Sequence, residues 1–429
     1  MGASAPIGIV GGGQLAWMLA EAAQRRGIPL HVQTPGPQDP AVALAASVVQ
    51  APVADAAATA ELAQRCSAIS FENEWVDLEA LAPLAARGVQ FVPSLEALRP
   101  LVCKRSQREL LQRLHLPAPR WFGLEQALAP TETGGSAEAA DAAGTPGYGA
   151  QPAAAAPTPA ERATRPHLPE GFQYPLMAKA ASGGYDGRGT ALLQNDADLE
   201  ALLERVQPAT WIVEEFVRFE RELAVVAARD AAGEVVLFPV VETHQHAQVC
   251  DWVLAPAEAS HALEQAVRNI AASLLTSLQY VGVLAIEFFY GPRGLQVNEL
   301  APRTHNSGHY SIEACSSSQF DQQLRLVSGE PALEVGLRVP GALMVNLLGF
   351  ESRDPEDPEA AYGARRQALA ELPDAHLHWY GKTGSSIGRK LGHLTLLLHD
   401  PDPAVRRQQA MQRLEALRQI WPLPPQVDR

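Results

Sequence analysis

Two glutamates in the second half of the chain have the residue type and surroundings of a metal site. Glu287 lies in the otherwise apolar run 285–289 and Glu299 in the run 295–300, and both runs are predicted to be strands. A carboxylate inside such a strand is costly to bury unless cations or hydrogen bonds compensate it. With Asn298 beside them, the pair suits one or two Mg²⁺ ions that bridge nucleotide phosphates. The alternative is a pair of glutamates that face solvent.

A second candidate site is the loop after Lys179, which contains four glycines, among them Gly183 and Gly184, and also Asp186 and Arg188. Glycines allow a backbone to fold over a polyanion and to point its N–H groups inward. Lys179, at the end of the preceding predicted strand, supplies a point charge for nucleotide phosphates. An ordinary hairpin tip is the alternative, although a hairpin needs only one or two glycines.

Polar and basic residues also concentrate directly after the Glu299 strand, where Arg303, His305, Asn306 and His309 follow one another within seven positions. An arginine binds a small planar anion through two parallel N–H bonds. A zinc site at the two histidines is the rival interpretation, but no third cysteine or histidine ligand stands nearby in the sequence.

Near the C-terminus, Lys382, Arg389 and Lys390 lie in a glycine-rich segment of an otherwise acidic protein. A bound phosphate group is the natural explanation for such a local excess of cations. A solvated basic loop is the alternative.

The elements that position these residues begin with a β-α-β rhythm. A buried strand at 7–10 is followed by three glycines at 11–13, a predicted helix at about 14–26, and strands at 30–33 and 68–71. This order predicts a parallel sheet with helices on both faces. The glycine turn suits close approach to a ligand or to the helix start. It lacks the spacing and the acidic residue of a dehydrogenase fingerprint, and a turn without a ligand remains open.

Composition excludes several classes of protein. A length of 429 residues predicts two to four domains. The formal net charge of −14 argues against a nucleic-acid binder. The four cysteines form no CxxC pair, which favours reduced thiols. No apolar run reaches the roughly 18–20 residues of a membrane span, and no signal peptide is apparent, so we predict a cytoplasmic protein with no membrane partner.

We predict an α/β (α+β) protein of three domains. A Rossmann-like parallel-sheet domain covers 1–115, a central domain covers 116–330, and a small β-rich domain covers 331–429. The stretch 130–168 is dominated by Ala, Pro, Gly, Thr and Glu, so it buries too little apolar surface to offset its ordering entropy. We predict a disordered surface insertion there, with a docking element as the alternative.

Together these residues resemble a known family. Lys179, the glycine-rich loop and the Glu287/Glu299 pair are similar to those of ATP-grasp ligases. The order GGGQL, FEN, GGYDGRG, IVEEFV, NELAPRTHNSGHY, EAC…SQF, MVNLLG and YGK…GRKLGH closely resembles the 5-(carboxyamino)imidazole ribonucleotide synthase family of purine biosynthesis. The resemblance covers the chain apart from the insertion, and it identifies the central domain as an ATP-grasp fold.

The resemblance implies ATP- and bicarbonate-dependent carboxylation of the amino group of 5-aminoimidazole ribonucleotide through carboxyphosphate, by a homodimer. It assigns Mg²⁺ to Glu287 and Glu299. It assigns ATP to Lys104, Lys179, Gly183, Gly184, Glu214, Glu215, Val217, Glu222 and Asn298. It assigns the imidazole nucleotide to Gln14, Leu15, Glu72, Asn73, Tyr185, Lys382 and Arg389. It assigns the bicarbonate and the reaction centre to Asp186, Arg188, Arg303, His305 and Asn306, with Asp186 as proton acceptor.

Two segments depart from the family pattern. Cys103 and Lys104 stand where the family often has Asp-Arg, and lysine keeps the charge but loses the fork geometry. Gln245, flanked by His244 and His246, stands where the family often has a histidine.

Two rival functions remain. One is another ATP-grasp ligase, such as a formate-dependent glycinamide ribonucleotide transformylase. The other is a non-catalytic ATP-binding protein, which would not need both carboxylates and the 303–309 loop.

Overall fold

The computed structural model describes residues 5–128, 166–183, 189–351 and 358–425. The predicted insertion at 130–168 therefore lies outside the described residues, except for its last three positions. The helices are α1 Gln14–Arg25, α2 Ala56–Ala63, α3 Leu78–Ala86, α4 Leu95–Leu98, α5 Lys104–Arg113, α6 Asp196–Arg205, α7 His261–Ser277, α8 Ser311–Ala314, α9 Gln319–Val327, α10 Pro358–Ala370 and α11 Pro403–Ile420. The short 3₁₀ helices among the described residues are Pro40–Ala43, Leu124–Leu128, Pro208–Thr210 and Asn306–Gly308.

The strands are β1 Ile7–Val10, β2 Leu30–Thr34, β3 Ser47–Gln50, β4 Ala68–Phe71, β5 Trp121–Gly123, β6 Leu176–Ala180, β7 Thr190–Leu193, β8 Trp211–Glu215, β9 Arg221–Arg229, β10 Val235–Leu237, β11 Val241–His246, β12 Val249–Ala255, β13 Gly282–Gly291, β14 Gly294–Ala301, β15 Gly341–Leu348, β16 Ala375–Trp379 and β17 Lys390–Leu398. Contacts group the described residues into two compact units. The first comprises 5–119, 182–183, 217–351 and 358–425, and the second comprises 120–128, 166–181 and 189–216.

The first unit begins with a four-stranded parallel sheet in the order β3-β2-β1-β4. Successive residues of β1 enter different cores: Ile9 packs with α1, whereas Val10 packs with residues of α2 and α3. Both faces of the sheet are therefore covered, as the β-α-β rhythm predicts. Side chains of Asp55 and Asp77 accept N–H bonds in the first turns of α2 and α3, which fixes where these helices begin.

The same unit contains a nine-stranded antiparallel sheet. Its main path is β14-β13-β9-β11-β12-β15-β17-β16, and β10 pairs with β9. The pairing of β12 with β15 joins residues on either side of position 330, the predicted start of a C-terminal domain. The domain boundaries at 115 and 330 stay predictions.

The second unit is built on a four-stranded antiparallel sheet in the order β5-β8-β6-β7. One face carries α6, whose Leu199 and Leu202 are buried against residues of the strands. Asn195 accepts the N–H bond of Asp198 and begins the helix. Across the described residues of both units, no helix combines the length and apolar character needed to cross a bilayer.

Candidate active site

Glu287 on β13 and Glu299 on β14 face each other directly in the strand register. The register shifts between Glu287 and Phe288, because Phe288 pairs with Val297 and leaves Asn298 as an extra residue. Consecutive strand residues normally point to opposite faces, but the bulge lets the Asn298 amide lie 3.5 Å from a Glu287 oxygen. The sequence prediction that these three residues come together is thus supported by the geometry.

The carboxylate pair has the electrostatics of a cation site. Burial and the neighbouring Glu299 raise the pKa of Glu287 to about 8, with a further contribution from Glu222. Two carboxylates and an amide oxygen are hard oxygen donors, and Mg²⁺ commonly takes one or two carboxylates while substrate phosphates supply other ligands. The residues therefore fit Mg²⁺. The described residues contain no group of three or more His, Cys, Asp or Glu arranged for a metal, including at His305 and His309.

Helix α5 holds this carboxylate strand from one side. The Lys104 ammonium lies 2.9 Å from a Glu299 oxygen. Gln107 donates to the Leu300 carbonyl and accepts from its N–H, while Arg108 donates to the Asn298 carbonyl. Lys104, which stands where the family often has an arginine, therefore contacts a candidate metal ligand.

The glycine turn before α1 surrounds a glutamate side chain. Glu72 accepts N–H bonds from Gly13 at 2.7 Å, Leu15 at 3.1 Å and Ala16 at 3.4 Å. A Cβ at Gly11 or Gly13 would lie 2.5 Å from Glu72, and Gly11 has a φ of +121°. The turn therefore needs glycine because a carboxylate occupies the helix N-terminus, where negative charge is favoured. Burial raises the pKa of Glu72, while the three N–H bonds and Lys382 lower it.

Arg303 interacts both with the carboxylate pair of the strands and with the glutamates near the α1 turn. Its Nε lies 2.8 Å from a Glu74 oxygen, a partner that the sequence did not indicate. Burial disfavours its charge, yet the carboxylates of Glu74, Glu299 and Glu72 outweigh burial and raise the pKa of Arg303. One guanidinium is thus within electrostatic reach of both the candidate metal site and the α1 turn.

The basic C-terminal segment approaches the same turn. The Lys382 ammonium lies 5.5 Å from the ring centre of Tyr380, and its charge acts on Glu72. Arg389 donates to the carbonyls of Thr383 and Gly384, so its guanidinium braces the loop.

The loop after β14 brings His305 close to Glu287 on β13. Its Nε2 lies 3.6 Å from a Glu287 oxygen, and its Nδ1 contacts the Ser307 hydroxyl at 2.9 Å. Asn306 is only 8% exposed, and it lies beside the Cys250 thiol.

The second unit places Lys179 2.8 Å from Glu214, whose side chain is only 2% exposed. Lys179 lies diagonally across the β6–β8 pair from Glu214, because Met177 is the direct partner of Glu214. Glu215 pairs with Arg120.

Other predicted residues lie as follows. Gly183 has a φ of +74°, which glycine adopts readily. Burial raises the pKa of Glu222 to about 7. Val217 is buried, Gln14 begins α1, and Asn73 accepts the N–H of Trp75.

The predicted site residues Gly184, Tyr185, Asp186 and Arg188 lie outside the described residues.

The sequence indicated Lys390 only as one of three cations suited to a bound phosphate, and the family resemblance assigned no role to it. Its charge lowers the pKa values of Glu287, Cys250 and His309, so it lies near residues 303–309. We call these residues the reaction-centre loop, after the role that the resemblance assigns to them. The signal was present in the segment GRKLGH, where Lys390 directly follows Arg389.

Comparisons with known proteins agree along the chain. Residues 4–101 match the ribonucleotide synthetase preATP-grasp domain, 158–320 the ATP-grasp domain, and 342–407 the phosphoribosylaminoimidazole carboxylase C-terminal domain. The chain is 48% identical over 418 residues to the N5-carboxyaminoimidazole ribonucleotide synthase of Synechococcus elongatus, an alignment that covers 97% of this chain and 96% of that protein.

Solved structures give the same result. Carboxyaminoimidazole ribonucleotide synthase from Aspergillus clavatus complexed with ATP matches with a TM-score of 0.79 and 30% identity, over 98% of this chain and 99% of that one. The synthase of the same organism in complex with ADP and 5-aminoimidazole ribonucleotide matches with a TM-score of 0.78 and 28% identity, over 98% and 99%.

The fold and the match to the ATP-grasp domain define an ATP-grasp ligase. Within that class, the chain belongs to the N5-carboxyaminoimidazole ribonucleotide synthase family, because a curated member aligns over nearly its whole length. The predicted fold class and family are confirmed.

Proposed function

We propose that this protein carboxylates the amino group of 5-aminoimidazole ribonucleotide with ATP and bicarbonate, in purine biosynthesis. The observation that carries the proposal is the position of Arg303, which lies 2.8 Å from Glu74 and within electrostatic reach of Glu299 and Glu72. A phosphate-activating centre and an acceptor pocket in one unit are what a ligase of this type requires. Family membership names the acceptor and the carbon source.

The reaction divides into two balanced steps. Bicarbonate attacks the γ-phosphorus of ATP, so carboxyphosphate forms and ADP leaves. The amine then attacks the carboxyl carbon, the C–O bond to phosphate breaks, and the amine loses a proton. The first step is needed because hydroxide is a poor leaving group and phosphate is a good one. Catalysis then rests on positioning and charge neutralisation.

The residues of the carboxylate site hold the phosphate-transfer end. Glu287 and Glu299 are the proposed ligands of Mg²⁺, which when bound would neutralise phosphate charge. Asn298 is held beside them by the bulge. Lys104, 2.9 Å from Glu299, is close enough to contact phosphate oxygens as well.

The family resemblance also assigns ATP contacts to Lys179 and Glu214, and to Val217 and Glu222, which follow Glu214 in the chain. Lys179 contributes a point charge to the phosphates, and Glu214 contacts the adenine. Val217 completes the adenine contact and Glu222 the ribose contact. The burial of the Lys179–Glu214 pair supports this assignment, because a buried ion pair with no ligand role is costly to retain.

The acceptor nucleotide is assigned to the α1 turn and the C-terminal cations. Lys382 grips the phosphate, and Glu72 and Gln14 border the imidazole. Arg303 anchors the carboxylate, and we add Lys390 as a second cation for that anion because its charge acts at Glu287. His305 and Asn306 complete the reaction centre. Asp186 remains our proposed proton acceptor, on a loop with Tyr185 and Arg188.

We further propose that the protein acts as a homodimer in the cytoplasm. The homodimer rests on family resemblance, and the cytoplasmic location rests on the sequence expectation of reduced thiols. Analytical ultracentrifugation of the purified chain and fluorescence microscopy of a tagged copy test them.

The function is tested by ATP consumption with paired substrates. We expect stimulation of ADP and phosphate release by bicarbonate with 5-aminoimidazole ribonucleotide, and none by formate with glycinamide ribonucleotide. The reverse pattern would support the transformylase, and ATP binding without turnover would support a non-catalytic protein. Glu287→Ala and Glu299→Ala should each lower kcat by at least about 100-fold. The control is Glu264→Ala, which removes an exposed carboxylate from α7 and should leave turnover unchanged.

A further inference from the structure

The side-chain amide of Gln319, the first residue of α9, is fully buried and makes three hydrogen bonds to the reaction-centre loop. Its Oε1 accepts the His305 N–H at 2.8 Å, and its Nε2 donates to the His305 carbonyl at 2.7 Å. The same Nε2 lies 3.1 Å from Nδ1 of His309. One amide therefore contacts both histidines of the loop.

These contacts fix the proton position on His309. The two backbone groups of His305 determine which end of the Gln319 amide is oxygen and which is nitrogen, because an N–H only donates and a carbonyl only accepts. Nε2 of Gln319 must therefore donate to Nδ1 of His309, which leaves the hydrogen of a neutral His309 on its own Nε2. Burial lowers the pKa of His309 well below its usual value and keeps the ring neutral.

The tautomer of His305 is defined in the same way. Its Nδ1 accepts the N–H of Ser307 at 3.3 Å, so the ring hydrogen is on Nε2. That atom faces Glu287 at 3.6 Å. The Gln319 bonds to the backbone of His305 therefore hold a donor against a candidate metal carboxylate.

The packing leaves this arrangement little freedom. A Cβ at Gly308 would lie 2.6 Å from the Gln319 oxygen and 2.9 Å from a methyl group of Val226. His309 also packs against the rings of Phe320 and His393, at centroid distances of 5.7 and 4.9 Å.

We propose that Gln319 is a positioning residue for the carboxylation reaction, which fixes the backbone at His305 and holds His309 as its neutral Nε2–H tautomer. The inference rests on the proposed function for its catalytic consequence, but not for the tautomer. No substrate contact is assigned to Gln319 itself.

The kinetic test compares two buried glutamines of one helix. Gln319→Met removes the amide at similar volume. The matched control is Gln323→Met, because Gln323 is 4% exposed, accepts the Val283 N–H at 2.7 Å and contacts the Ser70 hydroxyl at 2.8 Å. Each variant removes a buried amide that bonds both to the backbone and to a side chain, so their losses of folding stability should be similar.

We expect Gln319→Met to lower kcat by about 100-fold, as a misplaced reacting group does, with the KM for ATP unchanged. Gln323→Met should keep the kcat of the unmodified protein. Equal kcat losses in the two variants, or an unchanged kcat in Gln319→Met, would overturn the proposal.

A second measurement does not depend on turnover. Long-range ¹H–¹⁵N NMR of the imidazole rings, with His309 assigned through a His309→Gln variant, should show an Nε2–H ring in the unmodified protein. In Gln319→Glu a carboxylate faces Nδ1, so Nδ1 should gain the hydrogen. An Nδ1–H ring in the unmodified protein, or an unaltered ring in Gln319→Glu, refutes the inference. A protein with the expected tautomers but no bicarbonate-dependent turnover would refute only the proposed function.

Discussion

The substitution Gly13→Ala tests whether Glu72 organises the acceptor pocket. Gly13 has a φ of −75° and a ψ of −158°, so alanine meets no left-handed backbone strain there. Its Cβ would lie 2.5 Å from Oε1 of Glu72. The carboxylate must therefore move, and its bonds to the N–H groups of Gly13, Leu15 and Ala16 lengthen or break.

The expected magnitude follows from those three bonds. Loss of a helix N-cap costs about 0.5–2 kcal/mol, and loss of a hydrogen bond to a charged group costs about 1.5–3 kcal/mol. Gly13 is only partly buried, so water can replace some of the lost hydrogen bonds. We therefore expect the free energy of unfolding to fall by about 2 kcal/mol. The KM for the imidazole nucleotide should rise about tenfold, equivalent to about 1.4 kcal/mol, because we propose that Glu72 and Gln14 border that nucleotide. The KM for ATP should not change.

The assays are urea unfolding and steady-state phosphate release with the imidazole nucleotide varied. Gly27→Ala is the control, because Gly27 has a φ of +66° and open space around its Cβ position. It should cost about 1 kcal/mol of stability through backbone strain and leave both KM values unchanged. If Gly13→Ala behaved like Gly27→Ala in both assays, Glu72 would not be holding the turn.

Two further outcomes are expected. Lys179→Met should weaken ATP binding by at least about 100-fold, which ATP titration measures. It should also lower the free energy of unfolding in urea by about 3 kcal/mol, because buried Glu214 loses a cation at 2.8 Å. An unchanged ATP affinity would exclude a phosphate role for Lys179. Asp251 raises the pKa of His244 above its usual 6.5 mainly through a hydrogen bond, so this pair stabilises the fold at acidic pH and the contribution disappears as pH rises through the raised value. His244→Gln should therefore be less stable than the unmodified protein below about pH 6 and equal to it above about pH 8, and a difference that grew with pH would contradict that sign.

Sequence patterns predicted the elements that carry a strong apolar signal. The strands at 282–291 and 341–348 and the helix at 261–277 lie where the runs of apolar residues placed them. The strand at 375–379 and the helix at 104–113 were not predicted. The first has no fully buried residue, and the second is mostly polar in sequence, with a glutamine and an arginine among its buried side chains. Tertiary packing, rather than local pattern, determines such elements.

In the candidate site, too, some features follow from the local sequence pattern and others only from tertiary packing. Residue types placed Glu287 and Glu299 together, because each lies inside an apolar strand and only two adjacent strands are involved. No local signal pairs Arg303 with Glu74, since 229 residues separate them. Lys104 and Glu299, separated by 195 residues, are a second case. Local sequence indicates that a buried charge needs a partner, but it does not indicate which one.

The glycine turn shows why the partner matters for function. A glycine-rich turn before a helix suggests a phosphate site, because the helix N-terminus attracts anions. Here the carboxylate of Glu72 already takes that position and accepts three N–H bonds. A phosphate placed at the same turn would meet a negative charge and find those donors engaged. The acceptor phosphate is therefore expected at Lys382, whose charge reaches Glu72 from the C-terminal segment, and the turn instead fixes where α1 and Gln14 begin.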